Sequence, residues 1–427
     1  MSSLLGDWLV RRAQRPVPVV RARVGRQRLV YLLGPEANKM IFGHDELFRV
    51  REAFASLEVV DGPTSVVLSD GPDHARRRGL IRPSLAPRRI DGYFDAMASS
   101  ADEALDAVEP GAVVDAYALF RRAIRRSTLR ALFGERLAGH AETLGDVLQP
   151  LIDLSDTLLP VLTAKRRLNT PAWRRAMRAR DTLDAFIDEQ IDGERRRGDS
   201  TFHDRGRSAL STLVHGRDGA GSGLSNPEIR DQVVTMIAAG YETTSAAMGW
   251  IVYLLATHPD WQHDARAEAA DVLGGRRPEP GDLERLPLLR AIVDETLRMY
   301  PPAMISARYV VTGFGFAGRT VRPGDLVLFS PYATHRDPRV YEGPRDFRPD
   351  RWLEGDRRSS HEYLPWGGGK HRCLGSGLAT TELTVMLARL LARGAFELRG
   401  GPRTTRSFAA MRPHPGVRIA FIERGRA

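Results

Sequence analysis

The sequence predicts a mainly helical protein with a small β-rich part, on three observations. Ser225 to Ala256 is long enough for one helix, and between Gln232 and Thr257 all but Glu242 is apolar or small, as a buried helix requires. Several other runs show helix-period apolar spacing and stop at Pro301-Pro302 or at Gly394. Two stretches, Val17 to Leu33 and Ile305 to Leu328, instead read as short strands broken by turn residues.

Taken in order, Val17 to Leu33 alternates apolar and basic residues about a turn at Gly25, which predicts a hairpin. Pro72 to Glu194 is mostly helical, with the amphipathic run Pro171 to Arg197. His215 to Leu224 is a Gly- and Ser-rich surface loop. Its Gly219-Ala220-Gly221-Ser222-Gly223 has neither the preceding strand nor the spacing of a dinucleotide fingerprint. Ser225 and Glu228 stand at capping-box spacing, with Pro227 in the first turn of the long helix. Helices follow over Pro259 to Leu273 and Leu286 to Tyr300. The strands of Ile305 to Leu328 turn at Arg322-Pro323-Gly324. Leu374 to Arg393 is the last long helix, ended by Gly394. The β-rich part therefore covers about residues 17–70 and 303–330 plus C-terminal strands, and the helical part about 72–300 and 374–393. No linker composition or repeat interrupts residues 1–427, so one domain is expected.

Composition narrows the function classes. A hydrophobic content of 42% in 427 residues is ample for a large core. The one cysteine, Cys373, rules out a disulfide within the chain and suits a reducing compartment. Residues 1–16 mix Leu4, Trp8 and Val10 with Asp7, Arg11 and Arg15, too charged for an anchor or a signal segment. A cytoplasmic protein without membrane contact, and a monomer, is the expectation. The net charge of +10 is spread over scattered arginines without a nucleic-acid motif, so no nucleic acid is expected. A basic patch for an acidic protein partner accounts for the charge.

Trp366 to Gly375 reads Trp-Gly-Gly-Gly-Lys-His-Arg-Cys-Leu-Gly. A glycine-rich loop that delivers one thiol to the start of a helix suits a thiol used as a metal ligand. Lys370, His371 and Arg372 before Cys373, and the helix N-terminus after it, favour the thiolate. No Ser or Thr follows Lys370, so the glycines are not a phosphate loop.

Between Gln232 and Thr257 the only formal charge is Glu242, a costly residue in a buried helix unless it is hydrogen-bonded or reached by water. Ala239 and Gly240 precede it, and Thr243, Thr244 and Ser245 follow. Glycine lets a helix open and threonine bonds back to carbonyls, so a buried acid beside a hydroxyl makes a proton relay. Two readings compete. Against a bilayer span, a mid-helix glutamate costs about 2.5–3.5 kcal/mol and no second apolar span exists. A core helix with small residues at a crossing point explains the glycine and alanines but not the glutamate.

In this order, these segments resemble the cytochrome P-450 family over nearly the whole chain. Trp366, Gly369, His371, Cys373 and Gly375 match its Phe-x-x-Gly-x-(Arg/His)-x-Cys-x-Gly loop, with Trp366 in the Phe place. Ala239-Gly240-Tyr241-Glu242-Thr243-Thr244 matches its central-helix motif. Glu295 and Arg298 match its Glu-x-x-Arg, with Arg351 of Phe347-Arg348-Pro349-Asp350-Arg351-Trp352 as the later arginine partner. His74 and Arg78 match its His-x-x-x-Arg, and Arg308 its other propionate arginine. Asp350 and Trp352 replace its usual Glu and Phe, and Arg76, Arg77 and Arg82 read as a solvated helix face.

The resemblance implies the family fold, with heme b (iron protoporphyrin IX) between the long central helix and the helix after the cysteine. Cys373 is then the iron ligand, His74, Arg78, Arg308 and His371 serve the haem carboxylates, and Glu242 and Thr243 relay protons. It implies a monooxygenase that takes O2 and puts one oxygen atom into a lipophilic terpenoid, polyketide, fatty-acid or steroid-like molecule. No flavin or nicotinamide motif is present, so electrons come from a ferredoxin with its reductase or a flavodoxin-type donor. That donor would meet the basic surface of Lys370, Arg372 and the Arg76 to Arg89 helix. Met236, Ala239, Ala303, Met304, Ile305 and Phe408 are the pocket candidates, within Phe54 to Leu68, Leu158 to Leu168, Met236 to Ala239, Ala303 to Ile305 and Phe408 to Met411. A haem-thiolate isomerase or dehydratase and a non-enzymatic haem sensor are the alternatives. The former tend to lack the acid–threonine pair, and the latter needs no relay.

Overall fold

Helix Asn226–Thr257 begins one residue after its predicted cap, and the capping box is present. The Ser225 N–H and hydroxyl donate to the Glu228 carboxylate at 3.0 and 3.2 Å, and the Glu228 N–H donates back to the Ser225 hydroxyl at 3.4 Å. The computed structural model describes residues 4–15, 17–109, 111–157, 159–197, 208–355, 358–406 and 410–422. They divide into two compact units, residues 1–53, 101–120 and 243–427, and residues 54–100 and 121–242; the boundary falls inside helices Ala116–Phe133 and Asn226–Thr257.

The first unit holds the β-rich part. Val19–Val24 and Gln27–Leu32 form the predicted hairpin, turning at Gly25 with φ +58°. Gln27–Leu32 pairs in parallel with Asp325–Phe329, which pairs antiparallel with Ser306–Val310, and Phe48–Arg49 closes the five-stranded sheet. Val30, Leu32, Val310, Val327 and Phe329 bury one apolar cluster with Ile41 and Leu364. The Arg322–Gly324 turn is present, with Gly324 at φ +83°. A second turn, Ala317-Gly318, joins Phe314–Phe316 to Arg319–Val321; only positive φ at both residues marks it, and alanine hides that in sequence. Helices Pro259–Leu273, Pro287–Met299 and Ser376–Arg393 pack together in this unit. Trp250, on the late part of the central helix, donates to the Met411 carbonyl at 2.6 Å and stacks on Tyr300 at 4.0 Å.

The fully buried Glu295 and Arg298 organise this unit. Arg298 clamps Glu295 through Nε and Nη2, both at 2.8 Å, and its Nη1 donates to the His335 and Pro344 carbonyls at 2.7 and 2.8 Å. The expected Arg351 partner donates to Glu295 at 3.2 Å. Two donors not foreseen complete the shell: the Arg348 N–H at 3.0 Å and the Trp352 indole at 2.9 Å. Trp352 thus does more than fill the place of a phenylalanine, because indole donates where phenylalanine cannot.

In the second unit, Pro171–Arg197 packs along Ala141–Ser155, and Gly71–Ile81 lies near Ala209–His215. The loop after His215 turns on the Asp218 carboxylate, which accepts the Ala220 and Ser222 N–H groups at 2.9 and 2.8 Å. Arg76 and Arg77 correct one expectation. They do not form a solvated face: both donate to the capping Glu228, and Arg77 also reaches the Ser69 hydroxyl at 2.7 Å. Arg82 is exposed, as expected. Burial works to raise the Glu228 carboxyl, but the Ser225 N–H, the Arg77 hydrogen bond and the charges of Arg76 and Arg77 outweigh it and hold it below the usual range.

Removing the Glu295 carboxylate strands two buried guanidiniums. Glu295→Ala is therefore expected to lose about 3–5 kcal/mol in chemical denaturation, and Trp352→Phe about 1.5–3 kcal/mol. Glu228 has a lowered folded-state pKa. Its stabilisation is complete above the unfolded carboxylate value and is lost as pH falls through the folded one. Glu228→Gln should accordingly flatten the acid side of the melting temperature against pH, leaving a constant deficit near neutrality.

Candidate functional site

The cysteine loop is held from both sides by neighbours within the first unit. His335 is buried and neutral, its pKa pushed well below the usual value by burial and then by the Arg298 charge. Its Nδ1–H donates to the Arg298 carbonyl at 3.0 Å, and its Nε2 accepts the Leu364 N–H at 2.9 Å. Tyr363 donates to the Asp294 carboxylate at 3.0 Å. The Glu295–Arg298 pair therefore reaches, through His335, to two residues before Trp366.

Beyond Trp366 the backbone turns on glycines. Gly367 and Gly369 have φ +65° and +66°, conformations that cost little only without a Cβ. A Cβ on Gly368 would meet the Phe42 ring at 2.3 Å, and one on Gly369 the Phe42 carbonyl at 2.9 Å. The Cys373 N–H closes the loop on the Trp366 carbonyl at 2.9 Å. Cys373 is exposed, and Gly375 caps helix Ser376–Arg393 just beyond it. His371 is half-buried with Nε2 3.5 Å from Asp45, and Lys370 stands 3.4 Å from the same carboxylate.

The other expected residues fall as follows. Arg308 is 6% exposed, its guanidinium 5.5 Å over the Phe329 ring and donating to the Ala307 carbonyl at 2.8 Å. In the second unit His74 is buried and Arg78, one turn on, is half-buried. Met236 is buried, while Ala303, Met304 and Ile305 are half-buried. Phe408 lies outside the described residues.

The central helix departs from expectation at Glu242. It is continuous α-helix through Ala239, Gly240 and Thr243, without a local opening. Gly240 serves close approach instead, since a Cβ there would lie 3.1 Å from the Thr128 methyl group. The carboxylate that looked solitary in sequence is paired: Arg121 Nε donates to Glu242 at 2.9 Å and its Nη2 reaches the same oxygen. Arg121 also donates to Gln149 at 2.8 Å, and its guanidinium lies 5.4 Å over the Tyr241 ring. Burial, and then the Glu242 charge, push the Tyr241 phenol well above its usual value. No sequence signal marked Arg121, one of several arginines on an amphipathic helix.

Within a helix buried over most of its middle, Ala239 is exposed and Gly240 and Thr243 are half-buried. They form one accessible small-residue face beside the acid. Within the first unit, an accessible sulfur before a helix N-terminus and a buried arginine on a strand have the donor chemistry an iron porphyrin takes. The sulfur would be a soft ligand to iron and Arg308 a partner for a carboxylate.

Comparison with known proteins shows the family and the fold. The family model described as Cytochrome P450 matches residues 4–420. The chain is 43% identical over 423 residues to "Putative cytochrome P450 139" of Mycobacterium tuberculosis, covering 97% of both chains. It is 33% identical over 396 residues to "Cyclooctat-9-en-7-ol 5-monooxygenase" of Streptomyces melanosporofaciens, covering 91% of this chain and 84% of that one. In fold it is similar to a retinoic acid-bound cyanobacterial structure, CYP120A1, with TM-score 0.86, 24% identity and coverage of 94% and 91%.

Because Glu242 is buried, Arg121→Ala alone should destabilise by about 3–5 kcal/mol. Adding Glu242→Gln to that variant should recover part of the loss. A double-mutant cycle on urea unfolding measures it, and additive losses would show that the two side chains are not coupled.

Proposed function

The chain belongs to the cytochrome P450 family, whose members are haem b monooxygenases, and from that premise we propose which of its residues carry the reaction and on what. The observation that carries the reading is Cys373, exposed at the end of a glycine-cornered loop whose approach is fixed by the Glu295–Arg298–His335 chain.

When bound, heme b supplies reductive activation of O2 and the insertion of one oxygen atom into substrate. Cys373 would be the thiolate ligand to its iron, and the resemblance assigns its carboxylates to His74, Arg78, Arg308 and His371. Gly369 and Gly375 shape the loop, and Trp366 takes the place of the phenylalanine that the resemblance sets beside the sulfur, where an indole N–H can alter hydrogen bonding. Ala239 is exposed beside the acid–hydroxyl pair. Glu242, held in orientation by Arg121, and the neighbouring Thr243 hydroxyl hold and pass protons toward the reacting oxygen.

The substrate we infer is a lipophilic terpenoid, for which the apolar candidates are Met236 in the second unit and Ala303, Met304 and Ile305 in the first. Two things support that class: the apolar side chains at these positions, and relatives named as a cyclooctat-9-en-7-ol 5-monooxygenase and, at 32% identity, a pentalenene oxygenase. Electrons come from an external acidic donor of ferredoxin or flavodoxin type. Exposed Lys370 and Arg372 support this, together with a cleft of about 260 Å³ lined by Trp366, Arg372, Ser376 and Thr380.

Two variants test the assignment. Cys373→Ser should lose the red-shifted Soret band of the ferrous carbonyl complex, and its survival would remove Cys373 as ligand. Thr243→Ala should keep that band and consume reductant with peroxide released in place of product; unchanged coupling would take Thr243 out of the mechanism.

A further inference from the structure

Large apolar side chains are rarely exposed among the described residues, yet Leu159, Val161 and Leu168 are 46%, 46% and 76% exposed within ten consecutive positions. Leu159 and Val161 lie in the first turn of helix Leu159–Arg167 and Leu168 directly follows it, while Leu162 of the same helix is buried in its own unit. Charge concentrates at the same place. From Leu159 to Arg180 the chain carries no aspartate or glutamate. Arg166, Arg167, Arg174, Arg175 and Arg178 are exposed, and Lys165 is half-buried. Arg180, at the end of the run, is taken up by Asp184 and Asp231. Arg166 lies 5.9 Å over the half-buried Trp173. The arginines that composition alone suggested were scattered are thus gathered here with leucines and an indole.

A polyanionic protein or nucleic acid would use the cations and leave the leucines in water. A bilayer with anionic headgroups uses both: the guanidiniums lie at the phosphates, while Leu159, Val161, Leu168 and the indole enter the acyl boundary. No single described helix is long and apolar enough to cross a membrane. We propose that residues 159–178 form a peripheral docking surface for an anionic lipid bilayer. The expectation of no membrane contact rested on the lack of a spanning segment, which this mode of binding does not need. The proposal is independent of the oxygenation reading, because it requires neither haem nor substrate.

The test is co-sedimentation of the full chain with vesicles of phosphatidylcholine alone, or with roughly a third of phosphatidylglycerol added. Binding is expected only to the anionic vesicles, with release on adding salt. The triple variants R166E/R167E/R174E and L159S/V161S/L168S should each weaken it by on the order of tenfold or more. These side chains are exposed, so both variants should melt like the parent protein. As a check on the unsubstituted surface, brominated acyl chains should quench tryptophan emission, and Trp173→Phe should lose that quenching. Absence of sedimentation with anionic vesicles overturns the proposal. So does full binding by the serine variant, which would mark a purely electrostatic surface for an acidic macromolecule.

Discussion

Glu295 accepts hydrogen bonds from Arg298 twice, from Arg351, from the Arg348 backbone and from the Trp352 indole, with no access to water. A buried carboxylate is tolerable only when its lone pairs are filled, and here two cations and two neutral N–H groups fill them. The same Arg298 donates to three backbone carbonyls, those of His335, Pro344 and Asp346. One ion pair thus fixes a helix, a 3-10 turn and the long irregular segment between them. Irregular backbone needs such partners, because it has no ladder of its own.

The cysteine loop inherits its position from that network. His335 bridges Arg298 to Leu364 in a single tautomer, and Phe42 fills the space that Cβ atoms would need at Gly368 and Gly369. Gly367 and Gly369 then allow the left-handed backbone that brings Cys373 to the helix start. The sulfur is accessible while Arg298, His335 and Leu364, which fix the approach to it, are buried. Pre-organisation of this kind lets a ligand atom hold its position without reorganising.

On the central helix the local physics differs. Its glycine does not loosen the helix but admits a neighbouring threonine, and its acid is neutralised by an arginine from an adjacent helix. Glu242 is thus held by a partner that leaves only one helical face, Ala239 to Thr243, accessible beside it. Position of the acid and access to it are set by different neighbours.

Local rules were enough for much of this protein. Capping-box spacing at Ser225 and Glu228, prolines at 301 and 302, and Gly394 set helix ends that the structure reproduces within a residue or two, since caps and breakers act through their own backbone. The order of short motifs also identified the family, because each motif is a local arrangement of ligand, turn and helix. The Ala317-Gly318 turn, the Arg76 and Arg77 bonds to Glu228, the Trp352 indole on Glu295 and the Arg121 partner of Glu242 were not legible. In the ion pairs and the indole contact, distant segments meet and an arginine or tryptophan finds its acceptor only once both are packed. The residue types that do chemistry were therefore written in the sequence, whereas packing alone decided which of their charges are paired, buried or left facing solvent.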